Sequence, residues 1–427
     1  MEKRAASMAK VINDFSTFIR GADFCRACHS DQMFSALNLG ALPIANELSP
    51  APLKNYESFE LHLRICSDCG LGQVADVVSS NRLFTDYLYL SSASKSFVEH
   101  AANFANGVID ELSLGKSDYV LEIASNDGYL LSHFIQSGIK VLGVEPAQNV
   151  AAISSLQGIP TIADFFGAKL AQDIVSQHGY PRLIVANNVL AHVPDIRDFM
   201  YGISILSNSE TLISIENPRL RNIIEFNQFD TIYHEHFSYL SCKAVLKLAQ
   251  EFGLVLFDVE NLETHGGSNR YWLKKKNVRN TSKSSVEAEM RRDEALNLFQ
   301  VSSWERQDFI VQSYLKEFRE FLFEKSAEGK SIFGYGAAAK ASTLLNAAKV
   351  KSGDLVAIAD ASLEKQERFM PNMNLPIIKP EILNSLNPDI LILFVWNITS
   401  EIMKWVETSG LSGIEVWVTI PELKRIY

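Results

Sequence analysis

The sequence is poor in cysteine, has no long apolar run and carries no excess of positive charge. The longest purely apolar stretches, such as residues 391–396, are far shorter than the ~20 residues that a membrane-spanning helix needs. Acidic residues outnumber lysine and arginine by 50 to 40, and the net charge of −10 argues against non-specific nucleic-acid binding and against an anionic membrane surface. Residues 1–20 contain charges and no continuous apolar core, so we expect no signal peptide.

Four of the five cysteines form two C-x-x-C pairs near the amino terminus, Cys25/Cys28 and Cys66/Cys69. A two-residue gap lets both sulfurs of a pair reach one zinc ion at the ~2.3 Å zinc–sulfur distance. We therefore expect a closed tetrahedral Zn²⁺ site that stabilises the fold, with a short hairpin or small subdomain over residues 29–65. A redox C-x-x-C pair and cysteines that are merely buried are the alternatives. The fifth cysteine, Cys242, suits a reducing cytoplasm and is expected to be a small buried side chain.

From residue 117 the chain alternates short apolar strands with amphipathic helices, and a second alternation begins at residue 331. Such alternation is typical of an α/β fold with a parallel sheet covered by helices on both faces. Residues 286–326 have helical periodicity and predict one long bridging helix, whereas residues 83–100 predict an extended or irregular lid-like segment or a plain connector. We predict a zinc module over residues 1–82 and two Rossmann-like α/β domains over residues 83–285 and 286–427.

Polar residues follow the predicted strands of the first alternation at their carboxyl ends, where such sheets bind ligands. The segment V-L-E-I-A-S-N-D-G, residues 120–128, passes from a buried strand into a glycine turn and a helix. Glu122 lies inside the apolar strand and should be hydrogen-bonded, because an unpaired buried charge is costly. Gly128 allows close approach of a ligand, and Glu145, just past the next strand, is placed to bind a ribose. The candidate cofactor-binding residues are Glu122, Ser125, Asn126, Asp127, Gly128, Glu145, Asp164, Asn187 and Asn188.

The loop E-x-x-x-x-D-G contains one glycine, unlike the three-glycine fingerprint of dinucleotide-binding folds. In this respect the layout resembles the class I S-adenosylmethionine-dependent methyltransferases. The alternative is an acidic turn in a structural α/β domain.

The densest polar cluster is Y-H-E-H, Tyr233–His236. Its two histidines lack the i, i+4 spacing of the zinc motif H-E-x-x-H, so metal binding is one interpretation and acid–base chemistry another. Glu235 could orient an imidazole or raise its basicity, and Tyr233 could donate to a developing oxyanion. We expect at least one of the two histidines to be a buried side chain with satisfied hydrogen bonds.

A second nucleotide-like turn is G-Y-G-A-A-A, residues 334–339, which fits the dinucleotide fingerprint between a predicted strand and a helix. Asp360 lies at the end of the following strand. The glycine turn and this aspartate together favour a nicotinamide-dependent oxidoreductase acting on a nucleotide-sugar. The same turn suits a diphosphate at a helix amino terminus, with Lys340 adding positive charge. A purely structural carboxyl-terminal domain is a third interpretation.

In their order along the chain, these motifs resemble the sugar C-methyltransferases, which methylate carbon 3 of a nucleotide-linked 4-keto-6-deoxy sugar in branched-sugar biosynthesis. The matching segments are the two C-x-x-C pairs, Y-L-Y-L-S at 87–91, E-I-A-S-N-D-G at 122–128, G-V-E-P at 143–146, N-N-V-L-A-H-V at 187–193, Y-H-E-H-F-S at 233–238, T-H-G-G-S-N-R at 264–270 and G-Y-G-A-A-A-K at 334–340. One departure is Ala124, where many relatives have glycine.

The resemblance implies S-adenosylmethionine as cofactor, a structural zinc ion, and no metal or redox group at the reacting centre. It implies that His236 is the base, assisted by Tyr233 and Glu235, with His234 as the next candidate. The ketone at carbon 4 makes the carbon 3 proton acidic, because the charge can spread into an enolate. The expected substrate-binding residues are Tyr87, Tyr89, His265, Arg270, Gly334, Tyr335, Gly336 and Lys340.

The expected partner is a nucleotide-diphosphate-linked keto-deoxy sugar of the dTDP or GDP type, and the chain is expected to be a monomer or a homodimer. Two other classes of function stay open at this point. One is the oxidoreductase described above, and the other is a non-enzymatic, zinc-dependent scaffold that senses nucleotide-sugars.

Overall fold

The computed structural model describes residues 23–53, 55–84, 90–276 and 282–427. The chain begins with an antiparallel sheet of β1 (Met33–Pro43), β2 (Ser58–Cys66) and β3 (Gly72–Val74). The hairpin expected between the two cysteine pairs is confirmed, since β1 and β2 pair over their whole length. The pairing of Met33 with Cys66 brings the second cysteine pair next to the segment that carries the first.

Two helices follow, α1 (Ser80–Phe84) and α2 (Lys95–Leu112). The expectation of an extended or irregular segment over residues 83–100 is wrong at residues 83–84, which end α1, and from residue 95 onward, with a 3₁₀ turn at Ser91–Ala93 before α2. There the Ser94 hydroxyl accepts a hydrogen bond from the Phe97 amide and caps α2, whose apolar face is buried. Tyr87 and Tyr89 lie outside the described residues.

The central domain contains a seven-stranded sheet. Its strands are β4 (Tyr119–Ile123), β5 (Lys140–Val144), β6 (Thr161–Ile162), β7 (Leu183–Asn187), β8 (Leu212–Pro218), β10 (Leu254–Leu262) and β11 (Ser268–Lys275). Its helices are α3 (Leu131–Gln136), α4 (Gln148–Leu156), α5 (Ala168–His178), α6 (Ile196–Ile205), α7 (Asn222–Glu225) and α8 (Cys242–Glu251). The strand order is β6-β5-β4-β7-β8-β11-β10, with β11 antiparallel to its neighbours, which is the class I methyltransferase fold.

One short strand leaves the central domain and joins the zinc module. β9 (Ser238–Tyr239) pairs antiparallel with β3, so that Gly72 faces Tyr239 and Gln73 faces Ser238. The amino-terminal sheet therefore has the order β1-β2-β3-β9 and holds the chain directly after the Y-H-E-H motif.

Two helices, α9 (Ser284–Ala295) and α10 (Val301–Ala327), lead to the carboxyl-terminal domain. The single helix expected over residues 286–326 is wrong. The chain breaks at Asn297, whose φ is 49°, and the break buries Leu298 and lets its carbonyl accept a hydrogen bond from the Trp304 indole at 2.7 Å. Burial of these two side chains outweighs continuous helical hydrogen bonding.

The carboxyl-terminal domain is a second α/β unit with a six-stranded sheet of order β14-β13-β12-β15-β16-β17. Its elements are β12 (Ile332–Tyr335), α11 (Ala339–Ala347), β13 (Ala357–Ala359), β14 (Ile377–Ile378), α12 (Leu383–Leu386), β15 (Ile390–Leu393), α13 (Thr399–Ser409), β16 (Glu415–Val418) and β17 (Lys424–Arg425). One hydrophobic core runs from β1 and β2 through residues 220–239 and α10 into this domain. Within the described ranges, no helix combines the length and apolarity needed to cross a bilayer.

Candidate active site between the central and carboxyl-terminal domains

The four sulfur atoms of Cys25, Cys28, Cys66 and Cys69 lie within 4.8 Å of one another. The Cys25–Cys69 and Cys28–Cys66 separations are 3.5 and 3.6 Å, close to the edge of about 3.8 Å in a tetrahedron with ~2.3 Å zinc–sulfur bonds. An all-sulfur donor set of this size fits one Zn²⁺ with no open position. The ion would therefore hold the fold, and the reaction centre lies elsewhere.

The loop after β4 has an unusual backbone. Ala124, Asn126 and Gly128 have φ values of 57°, 51° and 84°, all in the left-handed region. A Cβ atom on Gly128 would lie 2.1 Å from Cδ1 of Ile159, so this turn requires glycine. Alanine at position 124 is strained by about 1–2 kcal/mol, which explains why a glycine would be easier to accommodate there.

Glu145, at the end of β5, braces this loop. Its two carboxylate oxygens accept hydrogen bonds from the amides of Asn126 and Ala147, each at 2.9 Å. The loop is also capped from outside, because the Ser91 amide donates to the Asn126 side chain at 2.8 Å and the Ser92 amide to Asp127 at 3.3 Å. The segment that follows the Y-L-Y-L motif thus contacts the loop.

Several buried polar atoms at these strand ends have no hydrogen-bond partner among the described residues. They are Glu122 Oε2, Ser125 Oγ, Asp127 Oδ1, Asn187 Oδ1 and both amide atoms of Asn188. Burial raises the pKa of Glu122 well above its usual value, and Glu145 and Asp127 add to this effect. The expected hydrogen bond to Glu122 is thus missing at Oε2. Unsatisfied buried polar atoms are rare in proteins, and this group fits a polar ligand.

Asp164 lies apart from this group. Its side chain is exposed, and its carboxylate accepts a hydrogen bond from the neighbouring Phe165 amide at 2.7 Å. It is the most exposed of the predicted cofactor residues.

Tyr233 and His236 form a pair at the two ends of a tight turn. The His236 amide donates to the Tyr233 carbonyl at 3.0 Å, and the Tyr233 hydroxyl lies 2.7 Å from His236 Nε2. His236 Nδ1 is 3.2 Å from the Thr231 carbonyl, which only accepts, so Nδ1 carries the proton. Burial, and then His192, lower the pKa of His236 well below its usual value. The imidazole is therefore neutral, with Nε2 as acceptor.

Sequence reasoning did not assign a role to His192. Its ring centre lies 4.6 Å from that of His236, and its Nδ1 donates to the Glu235 carbonyl at 2.7 Å. Burial lowers its pKa to about 4, so it too is neutral. Its presence in the segment N-N-V-L-A-H-V was the available signal.

The other two members of the motif point into the zinc module. His234 is completely buried, its Nε2 donates to the Phe59 carbonyl at 3.1 Å, and burial lowers its pKa to about 4. It is buried, as expected of at least one of the two histidines, but its Nδ1 has no hydrogen-bond partner among the described residues. The Glu235 carboxylate accepts two hydrogen bonds from Asn46, at 2.9 and 3.0 Å. Thr231 and Tyr233, instead of Glu235, orient His236.

Lys340 faces this centre from the start of α11. Its ammonium group lies 4.3 Å from the ring centre of Trp396 and donates to the Asn397 side chain at 2.6 Å. Burial lowers the pKa of Lys340 to about 8, and its charge contributes to the lowered pKa values of His236 and His265. Lys340 therefore adds a positive charge next to His236 and His265.

The segment 264–267 meets the carboxyl-terminal domain at Trp396. A Cβ atom on Gly266 would lie 2.3 Å from the Trp396 ring, so only glycine allows this approach. The Trp396 indole also donates to Asp230 at 2.7 Å. His265 precedes this contact and has a buried Nε2 without a partner in the described part of the chain. Burial lowers the pKa of His265 to about 4.

The turn before α11 is braced in the same way as the loop after β4. Gly336 has a φ of 94°, and a Cβ atom there would lie 2.4 Å from Val395. The Asp360 carboxylate accepts from the Ala337 amide at 2.8 Å. Gly334 and Tyr335 belong to β12 and are buried in the sheet, so of the predicted substrate residues in this turn only Gly336 and Lys340 lie at its open end.

Arg270 is not available in the way expected. It lies on β11, and its guanidinium forms ion pairs with Glu216 and Glu260, both at 3.0 Å. It also lies 4.4 Å above the Phe104 ring. Because Glu216 and Glu260 neutralise its charge, Arg270 stabilises the sheet and is not placed to bind a diphosphate.

Three family models match the chain in sequence order. They are a zinc binding domain at residues 25–84, a methyltransferase domain at 97–259 and a C-methyltransferase C-terminal domain at 263–421. The C-methyltransferase NovU of Streptomyces niveus is 30% identical over 410 residues, which cover 96% of this chain and 98% of that protein. The chain belongs to the C-methyltransferase family.

Among solved structures, a magnesium protoporphyrin IX methyltransferase from Synechocystis is 14% identical, with a TM-score of 0.32 over 46% of this chain and 89% of that one. A methyltransferase from Clostridium acetobutylicum is 11% identical, with a TM-score of 0.33 over 42% and 92% of the two chains. Membership of the C-methyltransferases, which rests on NovU and the family models, shows that the chain is a methyltransferase. The oxidoreductase and scaffold alternatives are therefore set aside.

Proposed function

We propose that this C-methyltransferase transfers the methyl group of S-adenosylmethionine to carbon 3 of a nucleotide-linked 4-keto-6-deoxy sugar. The observation that carries the proposal is the Tyr233–His236 pair, a neutral imidazole with an acceptor nitrogen beside a phenol. The unsatisfied polar atoms at the ends of β4 and β7 support cofactor binding on the central sheet. S-adenosylmethionine would supply an electrophilic methyl group at that place.

His236 and Tyr233 would both take part in proton transfer. His236 Nε2 takes the carbon 3 proton, which requires Tyr233 to give up its hydrogen bond to that atom. The electron pair of the C–H bond moves into an enolate, whose negative charge lies on the oxygen at carbon 4. The Thr231 carbonyl, which accepts from Nδ1, stabilises the imidazolium that forms. General base catalysis of this kind contributes about 10²–10⁴-fold.

Tyr233 and Lys340 would then stabilise the enolate. Once Nε2 is protonated it can donate to the Tyr233 oxygen, and the phenol proton is free to be donated to the oxyanion. The Lys340 ammonium, held between Trp396 and Asn397, keeps positive charge on the same side of the cleft. The Lys340 charge is already in place and needs no reorganisation, whereas the Tyr233 hydroxyl has to turn from Nε2 to the oxyanion.

The turn 336–340 would hold the diphosphate of the substrate. The amino terminus of α11 has no side-chain cap, so its free N–H groups and the helix dipole favour an anion. Lys340 adds a full charge at the same place. This assignment makes the carboxyl-terminal domain the site of the sugar nucleotide and the central domain the site of the cofactor.

A methylation assay tests the function directly. The protein is incubated with S-adenosylmethionine and dTDP- or GDP-linked 4-keto-6-deoxyhexoses in D₂O, and the products are analysed by mass spectrometry and NMR. We expect a methyl group on carbon 3 and loss of the hydrogen at that carbon. Methylation at oxygen or nitrogen, or at another carbon with carbon 3 unchanged, would refute the proposal.

A further inference from the structure

The turn that carries Tyr233 and His236 has several contacts to the zinc module, beside the contacts to His192 and Thr231 and a hydrogen bond from the Thr343 hydroxyl to the Ile232 carbonyl at 2.9 Å. His234 donates to Phe59, and Glu235 accepts from Asn46. Directly after His236, the Phe237 carbonyl accepts from the Val74 amide at 3.1 Å, and β9 continues this pairing with β3. The position of the imidazole therefore depends in part on contacts outside the central domain.

Arg26 is the residue of the metal site that reaches this turn. It stands between Cys25 and Cys28, inside the first C-x-x-C pair, and is only 7% exposed. One guanidinium nitrogen donates to the Val74 carbonyl at 3.0 Å, and the other donates to the Phe237 carbonyl. Arg26 thus connects β3 with the peptide next to His236.

The backbone around Cys25 is tied to the same strand by a second residue. The Gln73 side chain accepts from the Arg26 amide and donates to the Phe24 carbonyl, both at 2.9 Å. Gln73 itself pairs with Ser238 of β9. The first cysteine pair, β3 and β9 therefore form one hydrogen-bonded unit.

Arg26 is a buried arginine whose guanidinium donates to backbone carbonyls. No carboxylate lies within ion-pair distance of Arg26 in the described part of the chain. Four thiolates around one Zn²⁺ carry a net charge of about −2, and Arg26 lies in the middle of the sequence that supplies two of them. With zinc bound, that negative charge would be next to Arg26 in the sequence, and buried charges need partners.

We propose that Arg26 is a positioning residue for the base, one that fixes His236 by holding the Phe237 carbonyl against the zinc module. The proposal rests on the proposed role of His236. It adds to that role a function for the zinc module, which supports the reacting turn as well as its own fold. A displacement of about 1 Å in a reacting group can cost about 10²-fold in rate, so loosening this contact should lower turnover.

The test compares Arg26→Gln and Arg26→Lys with Arg197→Gln. Arg197 is a matched control, because it also donates to the first cysteine pair, to the Ala27 carbonyl at 2.6 Å, yet has no hydrogen bond to residues 233–239. Each purified protein is assayed for zinc content, kcat and KM with a dTDP-linked 4-keto-6-deoxyhexose, and amide hydrogen exchange of residues 233–239.

We expect Arg26→Gln to keep one zinc per chain and its KM values, to lose about 10²-fold in kcat, and to exchange the amides of 233–239 faster. Arg26→Lys, which keeps the charge and one donor, should lose less. Arg197→Gln should keep the kcat of the wild type. This split between kcat and KM separates positioning from a general loss of structure.

Three outcomes would overturn the inference. They are wild-type kcat in zinc-loaded Arg26→Gln, zinc loss in both Arg26 variants, and an equal fall of kcat in Arg197→Gln. The His236→Asn variant keeps the two proposals apart. If it is inactive while the Arg26 variants are normal, only the positioning role fails, whereas an active His236→Asn removes the proposed base itself.

Discussion

The phenol oxygen of Tyr233 lies 2.7 Å from Nε2 of His236, and the opposite ring nitrogen of His236 faces the Thr231 carbonyl at 3.2 Å. In this arrangement the imidazole is neutral, and its acceptor nitrogen, Nε2, is hydrogen-bonded to the Tyr233 hydroxyl. It differs from a solvent-exposed histidine, which would be partly protonated near neutral pH. The pair therefore defines where proton transfer can begin.

Replacing His236 by asparagine should abolish proton abstraction without displacing the ligands. Asparagine can still form hydrogen bonds in the turn but cannot accept the carbon 3 proton, so kcat should fall by about 10²–10⁴-fold. Turnover and deuterium exchange at carbon 3 are the measurements, and calorimetry checks that both ligands still bind. His192→Asn is the comparison, since His192 is the other neutral imidazole at this place. Full exchange in His236→Asn together with its loss in His192→Asn would move the base to His192.

The pH dependence of the reaction should be set by His236 on the acid side and by Lys340 on the alkaline side. Because the pKa of His236 is lowered, its neutral form persists as the pH falls, and the acid limb should lie below the usual imidazole value of ~6.5. Lys340 has a pKa lowered to about 8, so its charge is present below that pH and is lost above it. The KM for the sugar nucleotide should therefore rise above about pH 8.

Two variants of Lys340 test the alkaline limb. Lys340→Arg keeps a charge that is not lost below pH 12, so the rise in KM should move to higher pH. Lys340→Ala should raise the KM for the sugar nucleotide below about pH 8, where the wild-type ammonium is charged, and should remove the alkaline rise, while leaving the affinity for S-adenosylmethionine unchanged. If only the affinity for S-adenosylmethionine changed, the assignment of cofactor and sugar nucleotide to the two domains would have to be reversed.

Glu145→Ala should weaken cofactor binding more than it slows saturated turnover. The substitution removes the acceptor for the amides of Asn126 and Ala147 and so loosens the loop after β4. If the loosened loop costs the bound cofactor one hydrogen bond to a charged group, about 1.5–3 kcal/mol, Kd rises roughly 10- to 150-fold. Calorimetry with S-adenosylmethionine measures this Kd. Glu210→Ala, at an exposed glutamate before β8, is the control, and an equal Kd in the two variants would contradict this placement.

Cys25→Ser should release the zinc ion and unfold the amino-terminal sheet, because metal binding supplies much of the folding free energy of such a module. Elemental analysis should give one zinc per chain for the wild type and less for the variant. The buried Cys242, which lies outside the cluster, offers the control variant Cys242→Ser. Wild type that contains no stoichiometric zinc after gentle purification would show the prediction to be wrong.

The local features of this protein follow from its sequence. Short β-branched and leucine-rich runs bounded by turns are typical of buried parallel strands, and β4 and β5 lie in the strand–helix alternation that the sequence shows from residue 117. The C-x-x-C pairs are equally local, because two residues are the spacing that lets both thiolates bind one ion. The predicted domain boundaries at residues 82 and 285 and the oligomeric state stay predictions.

Only the tertiary structure decides which polar side chains share a cleft. His234 and His236 are two residues apart, yet one is buried under β2 and the other faces Lys340, because a tight turn separates their directions. Arg270 lies in a motif that suits anion binding, but two glutamates on neighbouring strands neutralise it. The link from Arg26 to Phe237 spans more than 200 positions and exists only because β3 pairs with β9. Such contacts depend on how distant segments pack, which local patterns do not encode.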